Sequence, residues 1–419
     1  MAVPDNAKQN MLKNPKTSVL RNLMITMVIS FLAICFITAL KNNELVYEWE
    51  DIMGHLIESG EYKYMDNYSA FMPPLYPYYL LFVYKIFNPF TAGTMWLVIA
   101  NFLQAVLFVG AVYFAFRTFF FGQLSLRLLL FFAAIIFFPP VLLSLTKVSS
   151  FALAVSLSMF FLSFWYRFAV LKQRNMIVWF VVVLCLAMYI RFEFGLYFIL
   201  LSCFLPVFTK KWYWNLTIAL VVFCLVYSPW ILRNHNKIDL AAYSTSFQYN
   251  FSKGNNIQYD LFSSYNMPYD EERNLRLENE YFDGVYASEK EKELYLQSVN
   301  KYYLNRHFEH FVTNSFKKVG INFLQYFPDY NLFPRPVFAI LYSLFFVSLF
   351  VVVLVASAKK IFFSLSRKKD FLSIFIFVSF WFMLFFYSVA PLPRYALFFY
   401  PFFVIYLFSV HTNYKSRVV

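Results

Sequence analysis

Three carboxylates, Glu44, Glu48 and Asp51, recur at spacings of four and three, which puts them on one face of the chain if the stretch is helical. Carboxylates crowded on one face repel, and the repulsion is relieved when one keeps its proton or gains a cationic partner. Such a group can act as a general base, taking the proton of an acceptor hydroxyl while that oxygen attacks a carbon. The same residues would also serve as a solvated acidic face on a helix beside a membrane. Glu50 points away from the other three.

Five cations sit where apolar segments end: Lys85, Lys147, Arg191, Arg233 and Arg394. Ionisable groups at membrane depth are costly and usually face a polar cavity or a partner. Guanidinium groups suit phosphate, since their forked N–H groups form paired hydrogen bonds and stabilise the charge as a phosphate leaves. Each cation also has a plainer account: Arg191 can pair with the nearby Glu193, while Arg233 or Arg394 can reach lipid headgroups.

The elements that must position these residues are set by composition. The chain has 419 residues, 60% of them hydrophobic and only 14% charged, with a mean hydropathy of +0.55. That is more apolar surface than a water-soluble domain can hide, so lipid must cover part of it. Nine glycines in the whole chain exclude glycine-rich phosphate cradles, and no dinucleotide fingerprint or nucleophile elbow is present. Cys35, Cys185, Cys203 and Cys224 lie in apolar runs without the paired spacing of a metal site. His307 and His310 are three apart with no third ligand nearby, so neither a metal nor another cofactor is expected.

Apolar runs long enough to span a bilayer fall near residues 20–40, 94–116, 128–146, 149–167, 213–232, 336–357, 370–390 and 394–411. The stretch 176–208 has room for two more, giving about ten transmembrane helices in an all-α polytopic membrane protein. Residues 75–87 are shorter, carry Lys85 and follow Pro73-Pro74, so they read as a helix in the outer interface. This parity keeps basic loops on the cytoplasmic side, as the positive-inside rule asks. It makes residues 1–19 and 412–419 cytoplasmic tails and residues 20–232 an N-terminal transmembrane module that includes the outer loop 41–93. Residues 233–335 become a non-cytoplasmic loop domain, and residues 336–411 the last transmembrane helices. The formal net charge of +13 is then a topology signal. The outer segment 233–335 holds 13 acids and 12 bases, so no nucleic-acid partner is expected.

Four landmarks, taken in order, resemble the GT-C superfamily of integral-membrane glycosyltransferases, in particular the bacterial branch related to protein O-mannosyltransferases and the aminoarabinose transferases of lipid A. They are the acidic run that leads into SAFMPPLYP, IRFEFGL at 190–196, SPWILRNHNKIDLAAYSTSFQYNFSKGNN at 228–256 and PLPRYALFFYP at 391–401. The resemblance implies inverting transfer of a sugar from a polyprenyl-phosphate donor to a glycan, lipid or protein acceptor on the outer face of a bacterial cytoplasmic membrane. It implies that a carboxylate after the first span is the base, with Glu44 first in register, ahead of Glu48 and Asp51. It also implies that Lys85, Lys147, Arg191, Glu193, Arg233, Asn234, Arg394 and Tyr395 contact substrate. The chain departs from the family pattern at Phe71-Met72 before Pro-Pro, and at Ser149-Ser150 where an acid is common. Two other classes stay open on the sequence: a transporter of lipid-linked saccharides and an inactive membrane scaffold. Mid-membrane polar residues and half-to-half repeats, which a transporter needs, are scarce.

Overall fold

A computed structural model describes residues 15–41, 43–45, 47–64, 66–120, 125–138, 142, 144–145, 149–255, 288–324, 344, 348, 351–359, 373–377, 379–380 and 400–410. Among them the regular structure is helical apart from one two-stranded hairpin. Among the described residues four helical segments are long and apolar enough to cross a membrane: Ser18–Ala39, Met95–Phe120, Ser150–Ala169 and Trp212–Ile238. Their outward side chains are apolar, with Ile29 62% and Leu225 70% exposed. Such surfaces suit lipid, because a helix satisfies its own backbone there and needs no water.

The chain divides into two compact units. The first comprises Met1–Glu44, Val83–Phe180 and Leu397–Val419; the second comprises Leu45–Phe82 and Val181–Ala396. The elements in chain order are α1 (Pro15–Ala39), α2 (Tyr47–Glu58), β1 (Lys63–Tyr64), β2 (Asn67–Tyr68), α3 (Leu75–Phe87), α4 (Met95–Phe120), α5 (Leu126–Ile136), α6 (Ser150–Ala169) and α7 (Met176–Met188). They continue with α8 (Gly195–Cys203), α9 (Trp212–Ile238), α10 (Ser246–Gly254), α11 (Glu289–Arg306), α12 (Phe308–Leu324) and α13 (Tyr400–Val410).

The first unit is packed with aromatic rings. Phe114 of α4 meets Phe160 and Phe164 of α6 at 5.5 and 5.1 Å, and Phe119 meets Tyr166 at 4.7 Å. Arg167 donates to Thr118 Oγ1 at 3.1 Å and lies over the Phe114 ring. Ser149 caps α6, its Oγ accepting the Phe151 amide, so one of the residues found in place of a family acid starts a helix here. Tyr400 ties α13 to α5 by donating to the Ala134 carbonyl at 2.9 Å.

Several elements differ from the sequence expectation. The run expected over 128–146 is interrupted: α5 ends at Ile136, shortly before Pro139-Pro140, and Leu142, Ser144 and Leu145 are helical again. The pair expected in 176–208 appears as α7, a 3-10 turn at Phe192–Phe194, α8 and a short helix at Leu205–Phe208. Helix α9 runs six residues past the expected boundary at 232, so Arg233 and Asn234 belong to a helix and not to a loop. It stops at Asp239, which takes left-handed backbone at φ 54° and pairs with Lys290. Helix α3 has 13 residues, a length of about 20 Å and too short to span. The expected spans over 336–357 and 370–390 lie largely outside the described residues, and of that over 394–411 the residues 400–410 are described and form α13.

In the second unit α10, α11 and α12 form a packed group joined by polar side chains. Asn300 donates to the Gln248 carbonyl at 2.9 Å and accepts from Ser252 at 2.9 Å. His310 is held by Tyr303 at 2.8 Å and lies beside Asn314. Lys318 is fully buried and donates to Asn255 Oδ1 at 2.5 Å; burial pushes its ammonium down to about 7. An unfolded lysine keeps its proton to about pH 10.4. Between these values the unfolded chain holds more protons than the folded one, so stability rises with pH across that window. Lys318→Met removes this dependence. The variant's stability relative to the parent should be highest at pH 7 and below and should decline toward pH 10, as read by thermal unfolding in detergent. A difference independent of pH would refute it.

Candidate functional site

The site grows from the C-terminal end of α9, where Trp230, Arg233, Asn234 and Lys237 recur at i, i+3, i+4 and i+7 and therefore share a face. That face grips two loops by their backbones. Arg233 donates through Nη2 to the Tyr62 carbonyl at 2.6 Å and through Nη1 to the Ser69 carbonyl at 2.7 Å. Nη1 also reaches Asn234 Oδ1 at 2.8 Å. The guanidinium lies over the Trp230 ring at 4.8 Å and the Tyr62 ring at 5.4 Å. Fully buried Asn234 donates to the Ala242 carbonyl at 2.8 Å, and Trp230 Nε1 donates to the Tyr243 carbonyl at 2.9 Å.

The two loops are also bonded to each other. The Thr245 amide donates to Ala70 O at 3.1 Å, and Ser244 Oγ to Phe71 O at 3.2 Å. Within the first loop Tyr62 donates to Met72 O at 2.8 Å, and the β1–β2 hairpin pairs Lys63 with Tyr68 and turns through left-handed Asp66. Lys63 and Lys237 approach the Tyr68 ring at 5.1 and 4.4 Å. The loop leaves into α3 with the Leu75 amide bonded to Tyr189 O at 2.9 Å. Three of the four landmark motifs, SAFMPPLYP, IRFEFGL and SPWILRN…STSF, thus meet in one compact unit.

A carboxylate closes the arrangement. Ser288 caps α11 through the Glu291 amide, the S-x-x-E arrangement of a capping box. Next to it Glu289 Oε1 accepts the Ala70 amide at 2.9 Å and the Thr245 hydroxyl. Burial pushes the Glu289 carboxyl up, against the pull of Thr245, the Ala70 amide, Ser69 and Arg233. One turn on, burial and then the charge of Glu289 push Glu293 up to about 8.

The predicted site residues distribute unevenly. Helix α2 begins at Tyr47, so Glu44 is an exposed residue of the preceding segment and does not share a helix face with Glu48 and Asp51. Glu48 and Asp51 occupy the first turns of α2, half-buried, with His55 3.9 Å from Asp51 and 3.5 Å from Asp66. Arg191 Nη2 pairs with Glu193 Oε1 at 2.7 Å, the plainer of its two predicted roles. Gly195 follows that corner in right-handed helical backbone and opens α8, with the Met188 methyl close to its Cα. Lys85 is exposed on α3 within the first unit. Lys147, Arg394 and Tyr395 lie outside the described residues.

Sequence reasoning missed Tyr62, Thr245, Glu289 and Glu293. The capping box and the Glu289–Glu293 pair, four apart, were visible signals; the partners of Glu289 at Ala70 and Thr245, 219 and 44 residues away, were not.

Two solved structures resemble this chain, both of ArnT from Cupriavidus metallidurans. The apo form is 14% identical with a TM-score of 0.41, covering 92% of this chain and 77% of that one. The form bound to undecaprenyl phosphate is 13% identical with a TM-score of 0.45, covering 90% and 77%. At these values the likeness is distant and carries no activity across. No protein-family model matches the chain, and no curated protein matches it.

Two outcomes follow from the geometry. Arg233→Lys keeps the charge but loses the fork, so the second unit should lose about 2–4 kcal/mol and unfold at a lower temperature. Unchanged unfolding would show that the clamp contributes nothing. The folded Glu293 holds its proton to about pH 8, against 4.5 for the ordinary group, so the parent loses stability as pH rises through that window. Glu293→Gln should therefore gain on the parent from pH 4.5 to pH 8, and equal unfolding temperatures at both ends would refute this.

Proposed function

We propose that the protein transfers a sugar from a polyprenyl-phosphate carrier to an acceptor hydroxyl on the non-cytoplasmic face of a bacterial cytoplasmic membrane, with inversion at the anomeric carbon. The supporting observation is the meeting of the Pro-Pro loop, the Arg191–Glu193 corner and the Arg233 helix end in one unit. These three stretches are far apart in sequence, and they are the ones whose order resembles the GT-C superfamily.

In this reading the acceptor oxygen attacks the anomeric carbon, a carboxylate takes its proton, and the carrier leaves as a phosphate monoester. The base is assigned to the acidic run Glu44, Glu48 and Asp51. Arg191, Arg233, Arg394, Lys85 and Lys147 are assigned to the phosphate, with Asn234, Glu193 and Tyr395 beside them. Arg233 commits three N–H contacts to Tyr62, Ser69 and Asn234, and a guanidinium carries five donors, so holding the loop and meeting a phosphate are compatible.

Purified protein in lipid nanodiscs, given a panel of polyprenyl-phosphate sugars and simple acceptors, should consume at least one donor. Among Glu44→Gln, Glu48→Gln and Asp51→Asn, the variant lacking the base should lose about 10²–10⁴-fold in rate. Consumption of no donor would overturn the transferase reading. Full activity in all three variants would remove the base from this run.

A further inference from the structure

Helix α11 carries its polarity the wrong way round for a helix in water. Glu289, Glu293, Asn300 and Tyr303 share one face by their spacing, and that face is turned inward. Glu289 holds the Ala70 amide and the Thr245 hydroxyl, Asn300 bonds Gln248 and Ser252, and Tyr303 meets His310. The opposite face carries Leu294, Tyr295, Val299 and Tyr302, and it points outward, with Leu294 50%, Tyr295 51% and Tyr302 63% exposed. A helix beside water buries its apolar stripe and exposes its polar one. The inversion calls for an apolar cover on the outside.

The neighbouring helix says what that cover is. Helix α9 has 27 residues, a length of about 40 Å against a hydrocarbon core of about 30 Å, and its last turns, RNHNKI, are polar, so that end emerges from the bilayer. Asp239, where α9 stops, pairs with Lys290 in the first turn of α11. Helix α11 therefore starts at the level where a membrane-spanning helix leaves the lipid. Leu232, exposed on α9, lies two turns before that junction, so the stripe continues a surface already suited to lipid.

The side chains agree with a headgroup layer. Tyrosine, apolar in its body and polar at its tip, is enriched at that depth. Lys292 and Lys301 stand by helical spacing at the two edges of the stripe, and Arg306 prolongs it, so aliphatic stems lie along the apolar surface while their cations reach lipid phosphates. Glu291 is an acid on the same face, and it sits in the first turn, where the helix N-terminus accommodates negative charge.

We infer that α11 lies along the bilayer surface beside the end of α9, with the stripe Leu294, Tyr295, Val299 and Tyr302 sunk among phospholipid headgroups and upper acyl chains. Through Glu289 the helix anchors Ala70 and Thr245 at the lipid surface. The placement does not depend on the transfer chemistry.

The test uses the full chain in nanodiscs of phosphatidylglycerol and phosphatidylethanolamine, doped with a phospholipid bearing a diazirine near the carboxyl end of one acyl chain. Illumination and mass spectrometry should find carbene adducts on the stripe, as on Leu232, and none at Asn300 or Tyr303. Hydroxyl radicals made in the water should oxidise Tyr295 and Tyr302 several-fold less than in the unfolded chain. A stripe without lipid adducts would overturn the inference. Free oxidation of the two tyrosines would then put the face in water, and protection from both reagents would assign the cover to a second copy or to another segment of the chain.

Discussion

The fork of Arg233 is the interaction on which the second unit depends. One rigid, permanently charged group binds the carbonyls of Tyr62 and Ser69, 171 and 164 residues away in sequence. Those carbonyls flank the short β1–β2 hairpin, in positions that are part of neither strand. At the edge of an apolar unit, each would otherwise be an orphan polar group. A planar five-donor cation can meet several at once, and the aromatic faces of Trp230 and Tyr62 hold it in place. Asn234 and Trp230 do the same for the second loop at Ala242 and Tyr243. A single helical face therefore organises two loops.

The loops then bring titratable chemistry with them. Once Ala70 and Thr245 are fixed side by side, their N–H and O–H converge on Glu289, and α11 starts where that carboxylate must lie. The helix N-terminus favours a negative charge in its first turn, whereas burial disfavours one. Glu293 feels the burial and the neighbouring charge together, and its carboxyl keeps the proton to about pH 8. Glu289 is thus a structural latch between the two loops, with the protonated Glu293 one turn behind it.

The membrane sets the limits within which this is built. Lipid accepts the apolar flanks of α1 and α9, so neither helix has to be buried by protein on every side. Polar residues are then conspicuous where they occur. The Arg191–Glu193 pair and the Arg233 fork both lie in the second unit, close to the landmark motifs.

Much of this was legible in the residues. Hydropathy alone marks α1, α4, α6 and α9 as helices able to cross a bilayer, because apolar composition over some twenty residues is a local property. The i, i+2 spacing of Arg191 and Glu193 made their pairing visible, and Asp and Glu clustered after α1 could be counted directly. Other features needed the fold. The start of α2 at Tyr47 removes Glu44 from the face it was expected to share, since where a helix begins depends on packing such as Trp49 against Tyr76. Arg233 and Asn234 moved from loop to helix for the same reason. The sequence by itself determined the apolar spans, the charge bias of the loops and the order of the motifs, all carried by neighbouring residues. Only the tertiary structure decided that Tyr62, Ser69, Thr245 and Glu289 meet around Arg233, because hydrogen bonds across 44 to 219 residues leave no local trace in composition or spacing.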